Sequence, residues 1–177
     1  MDTESAGFTG RRGEQVAPPD YQQSGRGDLR FNDQEFTMIY RFEIGVSTGK
    51  GLIAIEGEDN DNIAFSNSWL GQQQLNSDLC GLVRVEGDSM VPTIPDGSLA
   101  LVHAPEMYAL HEGIYAFSRN GEAFIKRLIP SDFDEEGRPR TIAIVADNRS
   151  YPVQVVSNEE LLTIRIAGRI RAVISIF

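Results

Sequence analysis

Short runs of apolar residues alternate with clusters of turn-forming residues along most of this chain. In one such run Val83 and Val85 fall on one face and Arg84 on the other, as in a half-buried strand. The pair Asn120-Gly121 separates two further runs, which favours a tight hairpin. The pattern predicts helical turns over residues 65–70 and strands over residues 37–44, 82–86, 99–102, 114–118, 122–128, 141–146, 161–166 and 169–177. Many short strands and few helical turns are typical of a mostly-β domain.

The N-terminal residues have a different texture. Residues 1–36 contain many glycines and glutamines, and they contain no series of amphipathic helices. Residues 1–30 show no regular spacing of apolar residues. We therefore predict a flexible arm or interdomain linker over residues 1–36 and one folded domain over residues 37–177.

Composition excludes several classes of protein. The chain has 16 Lys+Arg against 26 Asp+Glu, a net charge of −10, which repels phosphate backbones. Any contact with DNA would need a helix-turn-helix domain that this chain lacks. A single cysteine excludes an intramolecular disulfide. No apolar run reaches the ~20 residues of a membrane span, and no secretion signal is evident, so we expect a cytoplasmic protein.

One serine lies at a sharp turn between two predicted strands. Gly87 permits a tight backbone turn there, and Ser89 follows it directly. A serine in such a turn can present its hydroxyl to a cleft, where nearby N–H groups stabilise an oxyanion. Local chemistry alone favours a plainer interpretation, in which Ser89 caps a helical turn.

One lysine lies on an apolar strand face. Only Lys50 and Lys126 are lysines; every other basic residue is arginine. Period-two alternation sets Lys126 on the same face as Phe124 and Leu128. Partial desolvation lowers the pKa of an amine, and a neutral amine can take a proton from a serine. The alternative is a lysine that extends its amine along the strand to water.

These two sites belong to a longer series of motifs: Gly87-Asp88-Ser89-Met90, Pro92-Thr93, Asp96-Gly97 and Phe124-Ile125-Lys126-Arg127-Leu128. In this order they resemble the peptidase domain of LexA, UmuD and phage CI-type repressors. Asn148 with Tyr151-Pro152 and the closing strand resemble later segments of that family.

The resemblance implies a curled, mostly-β domain that dimerises and needs no metal or other cofactor. Ser89 would be the nucleophile and Lys126 its general base. Gly87, Asp88 and Met90 would form the turn whose N–H groups hold the oxyanion.

The substrate implied by the resemblance is the chain's own upstream loop, cut before a glycine. The register indicates the bond between Thr48 and Gly49. The family prefers alanine or cysteine in the first position, and the β-branch of Thr48 predicts slow cleavage or none. Cys80-Gly81 has the more familiar pair, but it leads directly into a predicted strand.

Several functions follow from this resemblance. The leading hypothesis is the self-cleaving and dimerising domain of a phage- or SOS-type repressor, with a RecA–single-stranded DNA filament as promoter of cleavage. A stand-alone UmuD-like protein, a signal-peptidase relative and a cleavage-defective dimerisation domain are the alternatives. His103 and His111 have neither metal-ligand spacing nor a signal comparable to that of Lys126 for a Ser–His–Asp triad.

Overall fold

The predicted mostly-β fold is confirmed by a computed structural model, which describes residues 28–31, 34–44, 52–54, 62–104 and 110–176. The helices in this part are α1 (Asn67–Gln72) and two 3₁₀ segments, Ser77–Leu79 and Asn158–Thr163. The strands are β1 (Asp28–Phe31), β2 (Gln34–Ile39), β3 (Phe42–Ile44), β4 (Leu52–Ala54), β5 (Ile63–Ser66), β6 (Cys80–Arg84), β7 (Leu99–His103), β8 (Gly113–Arg119), β9 (Glu122–Phe133), β10 (Pro139–Val145), β11 (Gln154–Ser157) and β12 (Ile164–Ile174).

Seven of these strands form the main antiparallel sheet, in the order β11-β10-β9-β8-β12-β7-β6. A three-stranded sheet has the order β1-β2-β5, and β3 pairs with β4 alone. An isolated bridge between Arg41 and Leu82 joins the chain just before β3 to the main sheet. β9 therefore lies inside the main sheet, with a paired neighbour on each side.

The hairpin between β8 and β9 follows from its turn residues, as the sequence predicts. Asn120 and Gly121 have φ angles of 51° and 84°. Positive φ at both central positions is the geometry that suits the twist of paired strands, and asparagine and glycine adopt it at low cost. This turn fixes the register that pairs Lys126 with Tyr115.

The N-terminal part of the domain differs from the expectation. Residues 28–31 and 34–36, which the sequence analysis assigned to the arm, belong to β1 and β2. These strands contain polar residues that do not show the alternation expected of a half-buried strand. Arg30 and Glu35, for example, are exposed and form an ion pair at 3.0 Å. Pairing of β2 with β5 brings them into a sheet, and local polarity does not report that pairing. The rest of the expected arm, residues 1–27, lies outside the described residues.

The C-terminal strand also differs from the prediction. We expected two strands, over residues 161–166 and 169–177, but β12 is one strand with a register shift between Ile166 and Gly168. A Cβ atom on Gly168 would lie 2.5 Å from the carbonyl oxygen of His103. Glycine therefore permits the close approach of β12 to β7, and the apparent break in the apolar pattern is a bulge.

Candidate active site

Ser89 lies in the serine loop, defined here as residues 85–98 between β6 and β7. Hydrogen bonds from Val85 N to Ser98 O and from Gly97 N to Val85 O, both 2.9 Å, close the ends of this loop. Met90 and Ile94 are each 1% exposed and join an apolar cluster beneath the loop. Burial of each side chain stabilises the protein by about 1.5–3 kcal/mol. Because Met90 directly follows Ser89, its burial holds the backbone of the serine in place.

Gly87 makes the turn that the sequence predicts. Its φ of 86° lies in the left-handed region, which disfavours any residue with a Cβ atom. Its N–H donates a 2.7 Å hydrogen bond to a carboxylate oxygen of Asp96. Gly87 thus shapes the serine loop, and its own amide is already engaged.

Lys126 reaches the serine from β9. Its Nζ donates a hydrogen bond to Ser89 Oγ across a sequence separation of 37 residues. The structure therefore brings these two side chains together. Leu128 is buried and Phe124 packs into the same cluster, whereas Ile125 packs into the cluster on the other face.

Two opposing effects act on the Lys126 amine. The side chain is half-buried, and this desolvation lowers the pKa of the amine below the usual lysine value. The carboxylate of Asp88 opposes the shift, because a nearby negative charge favours the protonated amine. Desolvation is the larger effect, and the net direction is the one that a general base requires.

A second segment holds the serine loop from the outside. We call residues 147–151 the brace. Asn148 donates its backbone N–H to Ser89 O at 3.0 Å and its side-chain amide to Asp88 O at 3.1 Å. The hydroxyl of Tyr151 donates to the Asp88 carboxylate. Sequence reasoning noted Asn148 and Tyr151 only through the family resemblance, since neither has a local pattern that reveals these contacts.

The brace is tied to the opposite face of β9. Arg127 forms two hydrogen bonds with the carboxylate of Asp147, at 2.9 and 2.8 Å. This pairing raises the pKa of Arg127 and is the main cause that lowers the pKa of Asp147, to which a hydrogen bond from Thr93 also contributes. Thr93 belongs to the serine loop, so Asp147 links that loop to β9.

The remaining predicted site residues divide into two groups. Thr48 and Gly49 lie in residues 45–51, outside the described residues, between the paired strands β3 and β4. Cys80 and Gly81 begin β6 and pair with β7, and Cys80 is only 8% exposed. Burial raises the pKa of the Cys80 thiol to about 11. That dipeptide therefore belongs to β6, the edge strand of the main sheet.

The described ranges contain neither a candidate metal site nor a candidate membrane span. Among those residues, no group of three or more His, Cys, Asp or Glu side chains is arranged to hold a metal ion. No helix in the same ranges combines the length and apolarity of a membrane span.

Comparison with known proteins assigns the chain to a family. The model of the Peptidase S24-like family matches residues 40–171. A curated relative, the repressor protein CI of Enterobacteria phage phi80, is 28% identical over an alignment of 118 residues, and the match covers 59% of this chain and 50% of that repressor. The chain thus spans about half the length of this relative. The family match contains the serine loop, β9 and the brace, and the chain belongs to the Peptidase S24-like family, the LexA- and CI-type peptidases that its motifs indicate.

Proposed function

We propose that this chain is the self-cleaving peptidase domain of a phage- or SOS-type transcriptional repressor, with Ser89 as nucleophile and Lys126 as general base. The observation that carries the proposal is the hydrogen bond between Lys126 Nζ and Ser89 Oγ. A half-buried amine with a lowered pKa can serve as the general base of a serine nucleophile where no histidine has that role.

The chemistry proceeds in two stages. Neutral Lys126 takes the hydroxyl proton while Ser89 Oγ attacks the scissile carbonyl carbon, and the protonated amine then gives its proton to the departing amine nitrogen. Water cleaves the resulting ester by the same route, with Lys126 again accepting and returning a proton. Because Nζ donates to Oγ when it is protonated, the reaction starts only after the amine loses one proton.

Two amides of the serine loop fit the oxyanion role. The N–H of Gly87 is bound to Asp96, which leaves the turn amides closer to the nucleophile. Among the described residues, the N–H groups of Ser89 and Met90 have no hydrogen-bond partner. Fixed donors of this kind are typically worth about 3 kcal/mol each in transition-state stabilisation. We assign Asp88 and Gly87 to the shape of the turn.

The proposed substrate is the chain's own bond between Thr48 and Gly49. β3, the strand that precedes this bond in the chain, contacts β6 and β8 of the main sheet. A tethered substrate has a high effective concentration and needs little specific binding. The β-branched Thr48 is stiffer than alanine beside the scissile carbonyl, so we expect slow cleavage.

The biological consequence would be loss of repression. The chain spans about half the length of the phi80 repressor protein CI, which supports a peptidase domain within a longer repressor. We propose that the rest of such a repressor binds DNA. We propose that this domain dimerises and that a RecA–single-stranded DNA filament promotes its cleavage. Cutting the connection would separate the DNA-binding parts and weaken their joint hold on two half-sites.

Mass spectrometry of the purified chain, incubated at alkaline pH, tests the proposal. We expect a fragment that begins at Gly49 in the wild type and its absence in Ser89→Ala. Ser131→Ala is the matched control, because Ser131 is an exposed serine on β9. A Gly49 fragment that persists in Ser89→Ala would refute the assignment of the nucleophile.

One observation favours a second function. Thr48 is a poor residue for the first position of the cut, which is compatible with a domain retained only for dimerisation. Thr48→Ala separates the two cases: cleavage at least about tenfold faster identifies an active site with a poor substrate. An intact chain in both proteins would leave dimerisation as the better explanation.

A further inference from the structure

We propose that Asp88 is an electrostatic brake on self-cleavage: its carboxylate, fixed beside the Ser89–Lys126 pair by the brace, favours the protonated form of the lysine amine. The inference rests on the proposed function for its effect on cleavage. It assigns to Asp88 a role through Lys126, apart from the shape of the turn.

The brace holds the Asp88 carboxylate in place. Tyr151 donates its hydroxyl to one carboxylate oxygen, and the side-chain amide of Asn148 lies 3.4 Å from the other. The backbone of Asp88 is held as well, since its carbonyl accepts from Val91 N at 3.0 Å and from Asn148. An aspartate at an exposed turn would normally rotate freely, whereas this one has a fixed direction.

The same tyrosine connects the carboxylate to the amine. The ring centroid of Tyr151 lies 6.0 Å from Lys126 Nζ, while its hydroxyl binds Asp88. Asp88 also directly precedes the nucleophile to which the amine donates. The carboxylate, the tyrosine, the serine and the amine therefore form one connected group.

The other groups around the amine do not supply this charge. On the neighbouring strand β8, Tyr115 is the register partner of Lys126, and its hydroxyl donates to His111 O at 3.0 Å. On the far face of β9, Arg127 is paired with Asp147. Among the described residues, Asp88 is the carboxylate whose charge acts on the Lys126 amine.

The sign of this interaction makes it a brake. A negative charge near an amine favours its protonated form, and a protonated amine cannot take the serine proton. Desolvation lowers the pKa of the Lys126 amine, the direction that favours catalysis, and the charge of Asp88 opposes this shift. Asp88 thus holds the rate down near neutral pH and leaves the rate at high pH unaffected.

The rate of self-cleavage as a function of pH tests this role. In Asp88→Asn we expect a rate several-fold higher at neutral pH, up to about tenfold, and the same plateau reached at a lower pH. Glu86→Gln is the matched control: it removes one negative charge from an exposed residue of the same loop, and the charge of Glu86 is not among those that act on the Lys126 amine. Superimposable profiles for Asp88→Asn and the wild type would overturn the inference.

A measurement that needs no cleavage separates this inference from the proposed function. Because the chain has only two lysines, NMR of protein with isotope-labelled lysine gives two side-chain signals, and Lys50→Arg identifies that of Lys126. In the Ser89→Ala background we expect the Lys126 amine to titrate at lower pH when Asp88→Asn is added. Coincident titrations would refute the brake even if the wild type cuts itself. If the titration is displaced but the wild-type chain never cleaves itself, the result would support the effect of Asp88 on the Lys126 amine and count against the peptidase function.

Discussion

Lys126 and Arg127 are adjacent cations on β9, yet the two faces of the strand give them opposite environments. Lys126 is half-buried, it donates to a neutral hydroxyl, and its pKa is lowered. Arg127 forms two hydrogen bonds with the carboxylate of Asp147, and its pKa is raised. One face therefore makes a positive charge costly and the other makes it permanent. A lysine can lose its charge on the first face, whereas an arginine keeps its charge on the second.

The largest expected effect comes from exchanging the cation on the catalytic face. Lys126→Arg retains a hydrogen-bond donor but cannot become neutral at any accessible pH. We expect the rate of self-cleavage to fall at least about 100-fold, the usual contribution of a general base. Mass spectrometry of a time course measures this rate, and an unchanged melting temperature verifies the fold. Cleavage at the wild-type rate would remove the distinction between the two faces.

A smaller effect is expected on the structural face. Asp147→Asn removes the charge that pairs with Arg127, and because the Arg127 side chain is about a third exposed we expect a loss of about 1 kcal/mol in the free energy of unfolding. The pKa of Asp147 is lower in the folded protein than the unfolded value of about 3.9, so its contribution is present above that pH.

This contribution is lost as the pH falls through the lower, folded value of Asp147. Urea unfolding of wild type and Asp147→Asn at neutral and acidic pH measures the difference. The two curves should converge in acid and separate at neutral pH. A difference that is constant with pH would mean that the ion pair contributes nothing and that the substitution acts through packing.

The smallest effect is expected from the hydroxyl that connects the brace to the catalytic face. The pKa of Tyr151 is raised, chiefly by its hydrogen bond to Asp88, so the hydroxyl remains a donor through most of an alkaline titration. Tyr151→Phe removes one of the contacts that fix the Asp88 carboxylate beside the Ser89–Lys126 pair, so less of its charge acts on Lys126. We expect cleavage at neutral pH to become about two- to threefold faster.

The double variant Asp88→Asn/Tyr151→Phe provides the control for that prediction. Without the Asp88 charge, loss of the hydroxyl should leave the pH profile in place. An equal displacement in both backgrounds would show that Tyr151 acts on the amine without Asp88.

Sequence reasoning succeeds where the information is local. The Asn120-Gly121 hairpin and the two faces of β9 follow from turn chemistry and alternation, and the position of Ser89 follows from Gly87. It does not find the brace, whose hydrogen bonds join residues 60 positions apart in the chain. It also divides β12 at Gly168 and leaves β1 unassigned, because long-range pairing decides both. The two residues of the proposed dyad were thus accessible from pattern and resemblance, and the residues that hold them in place were not.

Titration of the Lys126 side chain by NMR tests the central claim most directly, since everything proposed here requires a neutral amine next to the hydroxyl. We expect this amine, in Ser89-containing protein kept intact by rapid measurement, to titrate clearly below the ordinary lysine value of about 10.4. Titration at or above that value would contradict it, because Lys126 would then be a structural cation like its neighbour Arg127.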